Sequence, residues 1–153
     1  MAVRKVIQQD LEGLKNVVDS SGLFPSAYLE EMISDYFDNP ETEDIWLTKA
    51  EGDKNLAVGY CAPEKFTEGT YNLYAIGVLL EQQGKGIGRE MMLYLERLLI
   101  DKSARVLLIE TSSEEQFHLT RKFYKDLGYV HEATIRDFWQ EGEDKVIFWK
   151  KLQ

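Results

Sequence analysis

The feature that most constrains this chain is a glycine-rich turn that joins two apolar segments of different periodicity. Residues 82–89 have the sequence Gln-Gln-Gly-Lys-Gly-Ile-Gly-Arg, in which glycines occupy alternate positions. Tyr71–Leu80, before the turn, is apolar at nearly every position, which predicts a strand covered on both faces. Gly86–Lys102, after it, repeats apolar residues at helical spacing, which predicts an amphipathic helix. This order of elements indicates an α/β protein.

The turn itself predicts an anion site at the start of that helix. Glycines let a ligand approach the main chain closely, and the free amides of a helix N-terminus attract phosphate groups. Lys85 and Arg89 add positive charge there. The structural alternative is a turn that only connects the strand to the helix. The Walker pattern is absent, and the glycines do not follow the Gly-x-Gly-x-x-Gly spacing of dinucleotide-binding folds, so neither of those phosphate-binding classes fits.

The remaining segments predict a mixed sheet with helices on both faces, in the order βααβββαβαββ. The strand–helix–strand unit between Tyr71 and Ile109 requires a right-handed parallel crossover, whereas the hairpins give antiparallel pairs. We predict strands at Val3–Gln8, Ile45–Ala50, Leu56–Cys61, Tyr71–Leu80, Arg105–Glu110, Tyr129–Phe138 and Lys145–Lys151. We predict helices at Asp10–Ser20, Ser26–Phe37, Gly86–Lys102 and Glu114–Leu127, the last one capped by Ser113.

Composition limits the classes of function to be considered. The 153 residues fit one domain, 1–153, and 44% of them are hydrophobic, which is enough for a core. The formal net charge is −9, so we expect no nucleic-acid partner. With one cysteine, Cys61, and two histidines, we expect neither a disulfide nor a metal site. No apolar run suits a signal peptide or a bilayer span, so we expect a cytoplasmic protein with no membrane partner.

Two motifs in this sequence resemble those of the GNAT superfamily of N-acetyltransferases. The glycine turn is similar to the family's motif A, Gln/Arg-x-x-Gly-x-Gly/Ala, as Gln83-x-x-Gly86-x-Gly88. Residues 121–129, Arg-Lys-Phe-Tyr-Lys-Asp-Leu-Gly-Tyr, resemble motif B, in which Phe-Tyr precedes a glycine and an aromatic residue. The predicted order of elements is also the family's order. The resemblance implies the GNAT fold, with a central, mixed, mostly antiparallel sheet and helices on both of its faces.

The resemblance also implies acetyl-CoA as co-substrate, held in a V-shaped opening between the motif A strand and the next parallel strand. Backbone groups of the motif A strand would pair with the pantetheine arm. Amides of the glycine turn would bind the pyrophosphate, assisted by Lys85 or Arg89. The family pattern places these contacts on Ile76, Val78, Gln83, Gly84, Lys85, Gly86, Ile87, Gly88 and Arg89.

Catalysis in this family needs a proton for the leaving thiolate and a deprotonated amine. Tyr124 occupies the position of the family's general acid; the structural alternative is a core tyrosine, since it shares a helical stripe with Phe117 and Leu127. Asn72 stands where some members carry a basic glutamate, and an amide cannot accept the proton. Glu110, which ends the adjacent parallel strand, is the candidate base. The alternatives are that Glu110 is a cap or anchors the substrate amine, or that a water chain without a single base accepts the proton.

These residues predict an acyltransferase that moves an acetyl group from acetyl-CoA to a primary amine of a small molecule or protein. Two other hypotheses stay open at this point. Asn72, together with Phe117 where relatives often have a CoA-contacting asparagine, suits a module that binds acyl-CoA with weak turnover. An unrelated nucleotide-binding α/β protein would use the same helix N-terminus. We expect the acceptor pocket to come from the first two helices and the last hairpin, and exposed edge strands would allow a homodimer.

Overall fold

The computed structural model describes residues 2–153, and within them the elements follow the predicted order. One sheet contains the strands β1 (Val3–Lys5), β2 (Ile45–Glu51), β3 (Lys54–Pro63), β4 (Thr70–Val78), β5 (Val106–Ser112), β6 (Val130–Gln140) and β7 (Glu143–Lys151). The α-helices between them are α1 (Leu11–Ser21), α2 (Leu29–Asp38), α3 (Ile87–Asp101) and α4 (His118–Asp126). The predicted α/β fold is confirmed.

The sheet is mostly antiparallel, as the sequence predicts. Its strand order is β1-β2-β3-β4-β5-β7-β6. Of the neighbouring strands in the described chain, β4 and β5 alone run parallel, because α3 carries the chain across the sheet between them. β4 lies at the centre of the sheet, which explains why its sequence is apolar on both faces. β6 is an edge strand, and all of its residues are exposed.

Two glycines on neighbouring strands show that helices cover both faces of the sheet. A Cβ placed on Gly59 of β3 would lie 3.4 Å from the side chain of Met91 on α3. A Cβ placed on Gly77 of β4 would lie 2.8 Å from Ser21 Oγ at the end of α1. Gly77 pairs with Val58, the residue before Gly59, so the two glycines face opposite sides of the sheet. Thus α1 covers one face and α3 the other.

The remaining two helices complete these layers. A Cβ placed on Gly88 of α3 would lie 3.5 Å from the ring of Phe123, so α4 packs beside α3. Lys15 Nζ of α1 lies 2.6 Å from Glu30 Oε1 of α2, so α2 packs beside α1. Within residues 2–153, no helix combines the length and the apolar character that a bilayer crossing requires.

The sequence misplaces the first boundary because a side chain turns the backbone there. β1 ends at Lys5, before the predicted Gln8, and a 3₁₀ turn precedes α1. The Asp10 carboxylate accepts hydrogen bonds from the Ile7 amide (2.8 Å) and from Arg4 (2.8 Å). The Val6 amide still donates to the Trp46 carbonyl of β2 (3.0 Å), whereas the Ile7 amide bonds to Asp10, so the chain leaves the sheet at Ile7. Hydrophobic periodicity does not report such a polar contact.

The predicted cap of the fourth helix is wrong. α4 begins at His118 and not at Glu114. Ser113 Oγ accepts a hydrogen bond from the Asp144 amide (2.9 Å), so it ties the loop to β7. Arg121 Nη1 donates to the Glu114 carbonyl (2.8 Å) and holds the segment before α4. Contacts between distant parts of the chain therefore replace the local serine cap.

Candidate active site

The parallel strands β4 and β5 separate partway along their length. Their pairing ends at Leu73 and Ile109, although β4 continues to Val78 and β5 to Ser112. Beyond Leu73, the edge of β4 that faces β5 has no strand partner. Backbone N–H and C=O groups on such an edge can pair with an extended ligand as they would with another strand.

A bulge in β4 lies at the point of separation. Tyr60 of β3 pairs with Ala75, whereas the next residue, Cys61, pairs with Leu73. Tyr74 is therefore the extra residue on β4, and a bulge of this kind bends the strand and redirects a side chain. The Tyr74 side chain is 46% exposed in the middle of an otherwise buried strand.

The separated strands open a cavity of about 790 Å³, a volume typical of small-molecule sites. Both strands, the glycine turn and the helices α3 and α4 line it. Of the residues predicted for the site, it brings together Ile76, Val78, Gln83, Gly84, Gly86, Ile87, Gly88, Arg89, Glu110 and Tyr124. Lys85 is exposed and is not among the lining residues, so its contact with a cofactor stays a prediction.

The glycine turn presents unpaired amides to this cavity. Gly84 and Gly86 have φ values of +79° and +84°, a region that favours glycine. The first bond of α3 runs from the Glu90 amide to the Gly86 carbonyl (3.1 Å), so the amides before Glu90 have no partner within the helix. No side chain caps this end of α3. Gln83 Nε2 donates to the Val78 carbonyl (3.1 Å) and fixes the turn against the end of β4.

Tyr124 lies on α4 with its side chain directed into the core and against the cavity. It is 3% exposed, and its ring packs against those of Tyr129 and Phe148, with centroids 6.1 and 5.6 Å away. A phenol of ordinary pKa carries its proton at neutral pH, and burial raises the pKa of the Tyr124 phenol further. A protonated phenol on a cavity wall is a possible proton donor, and the core packing holds it in place.

Glu110 belongs to a polar group of five residues, Glu64, Asn72, Tyr74, Glu110 and Lys145, which we call the open cluster. Glu110 Oε1 forms an ion pair with Lys145 Nζ (2.9 Å), and Oε2 accepts a hydrogen bond from Asn72 Nδ2 (2.8 Å). The same Asn72 Nδ2 donates to Glu64 Oε1 (2.9 Å), which also accepts from the Tyr74 hydroxyl (2.9 Å). One amide group thus joins two carboxylates.

The sequence analysis identified Asn72 and Glu110 but missed Glu64, Tyr74 and Lys145. Asn72 therefore stands between two glutamates, one from the loop after β3 and one from β5. Tyr74 carried a weak sequence signal, a polar group on a strand that is otherwise apolar. Nothing local marked Glu64 or Lys145, because each reaches the cluster from a segment distant in the chain.

A second polar group, which we call the closed cluster, consists of Glu96, Tyr129 and Lys150. Glu96 Oε2 accepts from the Tyr129 hydroxyl (2.6 Å), and Oε1 accepts from Lys150 Nζ (3.0 Å). Lys150 also donates to the Leu127 carbonyl (2.8 Å). None of its three members lines the cavity, so this cluster joins α3, β7 and the end of α4 without facing the site.

The phenylalanine, the two histidines and the cysteine mentioned in the sequence analysis differ in their position relative to the cavity. Phe117 lines the cavity, whereas His118 and His131 do not. Cys61 is buried, and burial raises the pKa of its thiol.

Comparison with known proteins identifies the class to which this fold and cavity belong. The acetyltransferase (GNAT) family model matches residues 15–129. A protein of the GNAT family from Desulfovibrio desulfuricans superposes with a TM-score of 0.92 at 28% identity, with 99% of each chain covered. No curated protein sequence matches the chain.

Two further structures with lower identity share the fold. The ribosomal-protein-S18-alanine N-acetyltransferase of Escherichia coli superposes with a TM-score of 0.78 at 17% identity, over 99% of this chain and 94% of that one. An aminoglycoside 6′-N-acetyltransferase complexed with coenzyme A superposes with a TM-score of 0.79 at 15% identity, over 100% and 98%. The chain belongs to the GNAT family of acetyltransferases, and it is accordingly an acyltransferase. The predicted family is confirmed.

Proposed function

We propose that this protein transfers an acetyl group from acetyl-CoA to a primary amine by direct attack of the amine on the thioester. The observation that carries the proposal is the cavity between β4 and β5. It combines an unpaired strand edge, a helix N-terminus with free amides, a buried phenol and a carboxylate. The family and the coenzyme A complex of a structural neighbour support acetyl-CoA as the acyl donor.

The residues present fit the cofactor. The edge of β4 from Ala75 to Gly77 has no partner strand beside it and offers the extended backbone that a pantetheine arm requires, and the Gln83 side chain bonds to the Val78 carbonyl beyond it. The amides of Ile87, Gly88 and Arg89 and the dipole of α3 suit the pyrophosphate. When bound, acetyl-CoA supplies the acetyl group as an activated thioester.

Tyr124 is the proposed general acid. It lines the cavity, and like any phenol of ordinary pKa it carries its proton at neutral pH, a state that burial favours further by raising the pKa. In this role the phenol donates a proton to the thiolate that leaves during acyl transfer.

Glu110 is the proposed general base. It lies on the cavity wall beyond the last β4–β5 pair, where the acyl donor and the amine would meet. Its Oε2 accepts one hydrogen bond from Asn72, its Oε1 forms an ion pair with Lys145, and a carboxylate oxygen has room for a further donor. It can therefore take the amine proton directly or through a water.

The acceptor side of the site is proposed to include the last hairpin. Lys145 Nζ, which holds Glu110, lies 4.0 Å from the ring centroid of Phe138 on β6. The structural neighbours named above act on a protein alanine and on an aminoglycoside, so this fold serves both protein and small-molecule amines.

Calorimetric titration with acetyl-CoA, and separately with ATP and NAD, tests whether the glycine turn and the N-terminus of α3 bind the cofactor. We expect saturable binding of acetyl-CoA that Gly86→Ala weakens at least ~10-fold, since a side chain at positive φ distorts the turn. Gly52→Ala is the matched control, because Gly52 also has positive φ and open space but lies in the β2–β3 turn. A folded protein that binds ATP or NAD and not acetyl-CoA would overturn the proposal.

Measuring kcat for the Tyr124→Phe variant and the wild-type protein distinguishes the enzyme hypothesis from that of a module that only binds acyl-CoA. We expect kcat for amine acetylation to fall by about 10²-fold while acetyl-CoA affinity is unchanged, as for loss of a general acid. An unchanged kcat would exclude Tyr124 as the acid. A wild-type protein that binds acetyl-CoA but acetylates none of a broad amine panel would favour the binding module.

A further inference from the structure

The open cluster contains two carboxylates but only one ammonium group. Glu110 pairs with Lys145 at 2.9 Å. Glu64, in contrast, accepts from the neutral groups of Asn72 and Tyr74, and no cationic side chain of residues 2–153 forms an ion pair with it. With two carboxylates and one ammonium, the cluster lacks one positive charge.

The same cluster also lacks a hydrogen-bond donor. Asn72 is 1% exposed, and its Nδ2 donates to both carboxylates. Its Oδ1 is buried and has no donor among the described residues. Buried acceptors of this kind are normally satisfied. Asn72 donates to Glu110, which lines the cavity, so its unsatisfied oxygen indicates an ordered water or a ligand group beside the cavity wall.

A row of aromatic rings, of which only Tyr74 is exposed, adjoins the uncompensated carboxylate. Trp46 and Tyr60 stack with ring centroids 4.3 Å apart, and Tyr74 lies next in line, 5.5 Å from Tyr60. Tyr74 lines the cavity and donates its hydroxyl proton to Glu64. A carboxylate beside the exposed face of a tyrosine ring is a combination that binds ammonium groups.

We propose that Glu64, with Tyr74, binds the ammonium group of the acceptor, which is therefore a primary amine with no carboxylate beside it. This inference rests on the proposed acetyltransferase function and specifies its substrate class. A primary ammonium brings the positive charge that the cluster lacks, and its three donors can bond to the carboxylate oxygens of Glu64. A free α-amino acid would place its own carboxylate near Glu64 and Glu110, and like charges at a short distance disfavour binding. Alkyl amines, amino sugars and amidated amino acids avoid this repulsion.

Steady-state acetylation of two matched pairs of amines tests the inference: tyramine against tyrosine, and alanine amide against alanine. Within each pair, one member carries a carboxylate beside the amine and the other does not. For the wild-type protein we expect kcat/KM to be at least ~10-fold higher for the member without a carboxylate. Glu64→Gln keeps the hydrogen bonds of the cluster but removes the charge. We expect it to raise KM for tyramine about 10-fold, change kcat little, and reduce the preference within each pair.

Glu68→Gln is the control, because Glu68 has an exposed side chain in the same loop and lies outside the cluster. It should behave as wild type. Equal loss for both members of a pair in Glu64→Gln, or no preference in the wild-type protein, would overturn the inference while leaving the acetyltransferase proposal intact. If acetyl-CoA binds but none of the four amines, nor a broader amine panel, is acetylated, both proposals fail.

Discussion

The closed and open clusters are built from the same kinds of residue but have different surroundings. Each takes a lysine from β7, Lys150 in the closed cluster and Lys145 in the open one, and each contains a tyrosine bonded to a glutamate. These lysines are an odd number of residues apart on one regular strand, so they point to opposite faces of the sheet.

The difference between the clusters lies in charge balance and access. In the closed cluster, one glutamate meets one lysine and one tyrosine, its charges balance, and no member lines the cavity. In the open cluster, a second glutamate leaves an excess negative charge, an amide oxygen lacks a donor, and two members line the cavity. We infer that the closed cluster stabilises the fold, whereas the open cluster is left to be completed by a substrate.

The largest expected effect is on the stability of the closed cluster. Glu96→Ala leaves the Lys150 ammonium and the Tyr129 hydroxyl in a mostly buried position without their acceptor. We expect the free energy of unfolding to fall by about 3 kcal/mol, as for a broken buried ion pair. Urea denaturation followed by circular dichroism measures this. The double variant Glu96→Met with Lys150→Met should lose much less, and a loss below ~1 kcal/mol for Glu96→Ala would contradict a structural role.

The matching change in the open cluster should affect catalysis instead. Glu110→Gln keeps the shape of the side chain and removes the proposed base. We expect kcat to fall about 10²-fold. The free energy of unfolding should fall by less than the ~3 kcal/mol expected for Glu96→Ala, because glutamine can still accept the hydrogen bond from Asn72 although Lys145 loses its ion-pair partner. Kinetics and urea denaturation on the same sample check both values. If Glu110→Gln unfolds most of the protein while the folded fraction keeps the wild-type kcat, the open cluster would be structural and the proposed difference between the clusters would be wrong.

The pH dependence of stability extends the comparison to Asp10, another buried carboxylate outside the cavity. Burial by itself raises the pKa of Asp10, but hydrogen bonds from Arg4, the Ile7 amide and Asn55 outweigh it and lower the pKa from 3.8 to about 2. The folded state therefore binds the Asp10 proton more weakly than the unfolded state does. The resulting stabilisation is complete above about pH 5 and is lost as the pH falls towards 2.

We expect this contribution to be about 2 kcal/mol, from the difference between the two pKa values. Urea denaturation at several values between pH 5 and pH 2 measures it, with Asp10→Asn as the control. The wild-type protein should lose its advantage over the variant across this interval. A constant difference between the two proteins would show that Asp10 titrates alike in both states.

The smallest expected effect compares the two tyrosine hydroxyls. Tyr129→Phe removes a buried hydrogen bond to Glu96 and should lower the free energy of unfolding by about 1 kcal/mol. Tyr74→Phe removes a bond from a residue that is 46% exposed, so we expect a change below ~0.5 kcal/mol. Thermal unfolding of both variants under identical conditions checks the order. Equal losses would mean that the open cluster also contributes to stability.

Sequence analysis performed best where a short segment decides its own structure. The glycine turn and the helix after it were placed within a residue or two, because Gly84 and Gly86 need positive φ and the apolar stripe of α3 repeats every turn. It performed less well at β1 and at the start of α4. There, the side chains of Arg4 and Arg121 hold the segments next to their own elements, and hydrophobic periodicity does not report such contacts.

The candidate site divides in the same way. The proposed cofactor residues are almost all consecutive, so one motif identifies them together. The open cluster draws on the loop after β3 and on β4, β5 and β7, so its members meet through strand pairing and register. Asn72 looked like the loss of a base in the sequence. In the structure it donates to two carboxylates supplied by its neighbours.

The sequence by itself determined the order of the elements, the glycine turn and the family, since these depend on local periodicity and on motifs of adjacent residues. Only the tertiary structure decided which charges face one another. Strand pairing brings Lys145 to Glu110 and Lys150 to Glu96, and the separation of β4 from β5 opens one of these pairs to the cavity. Coulomb energy depends on distance and burial, which a linear sequence does not contain.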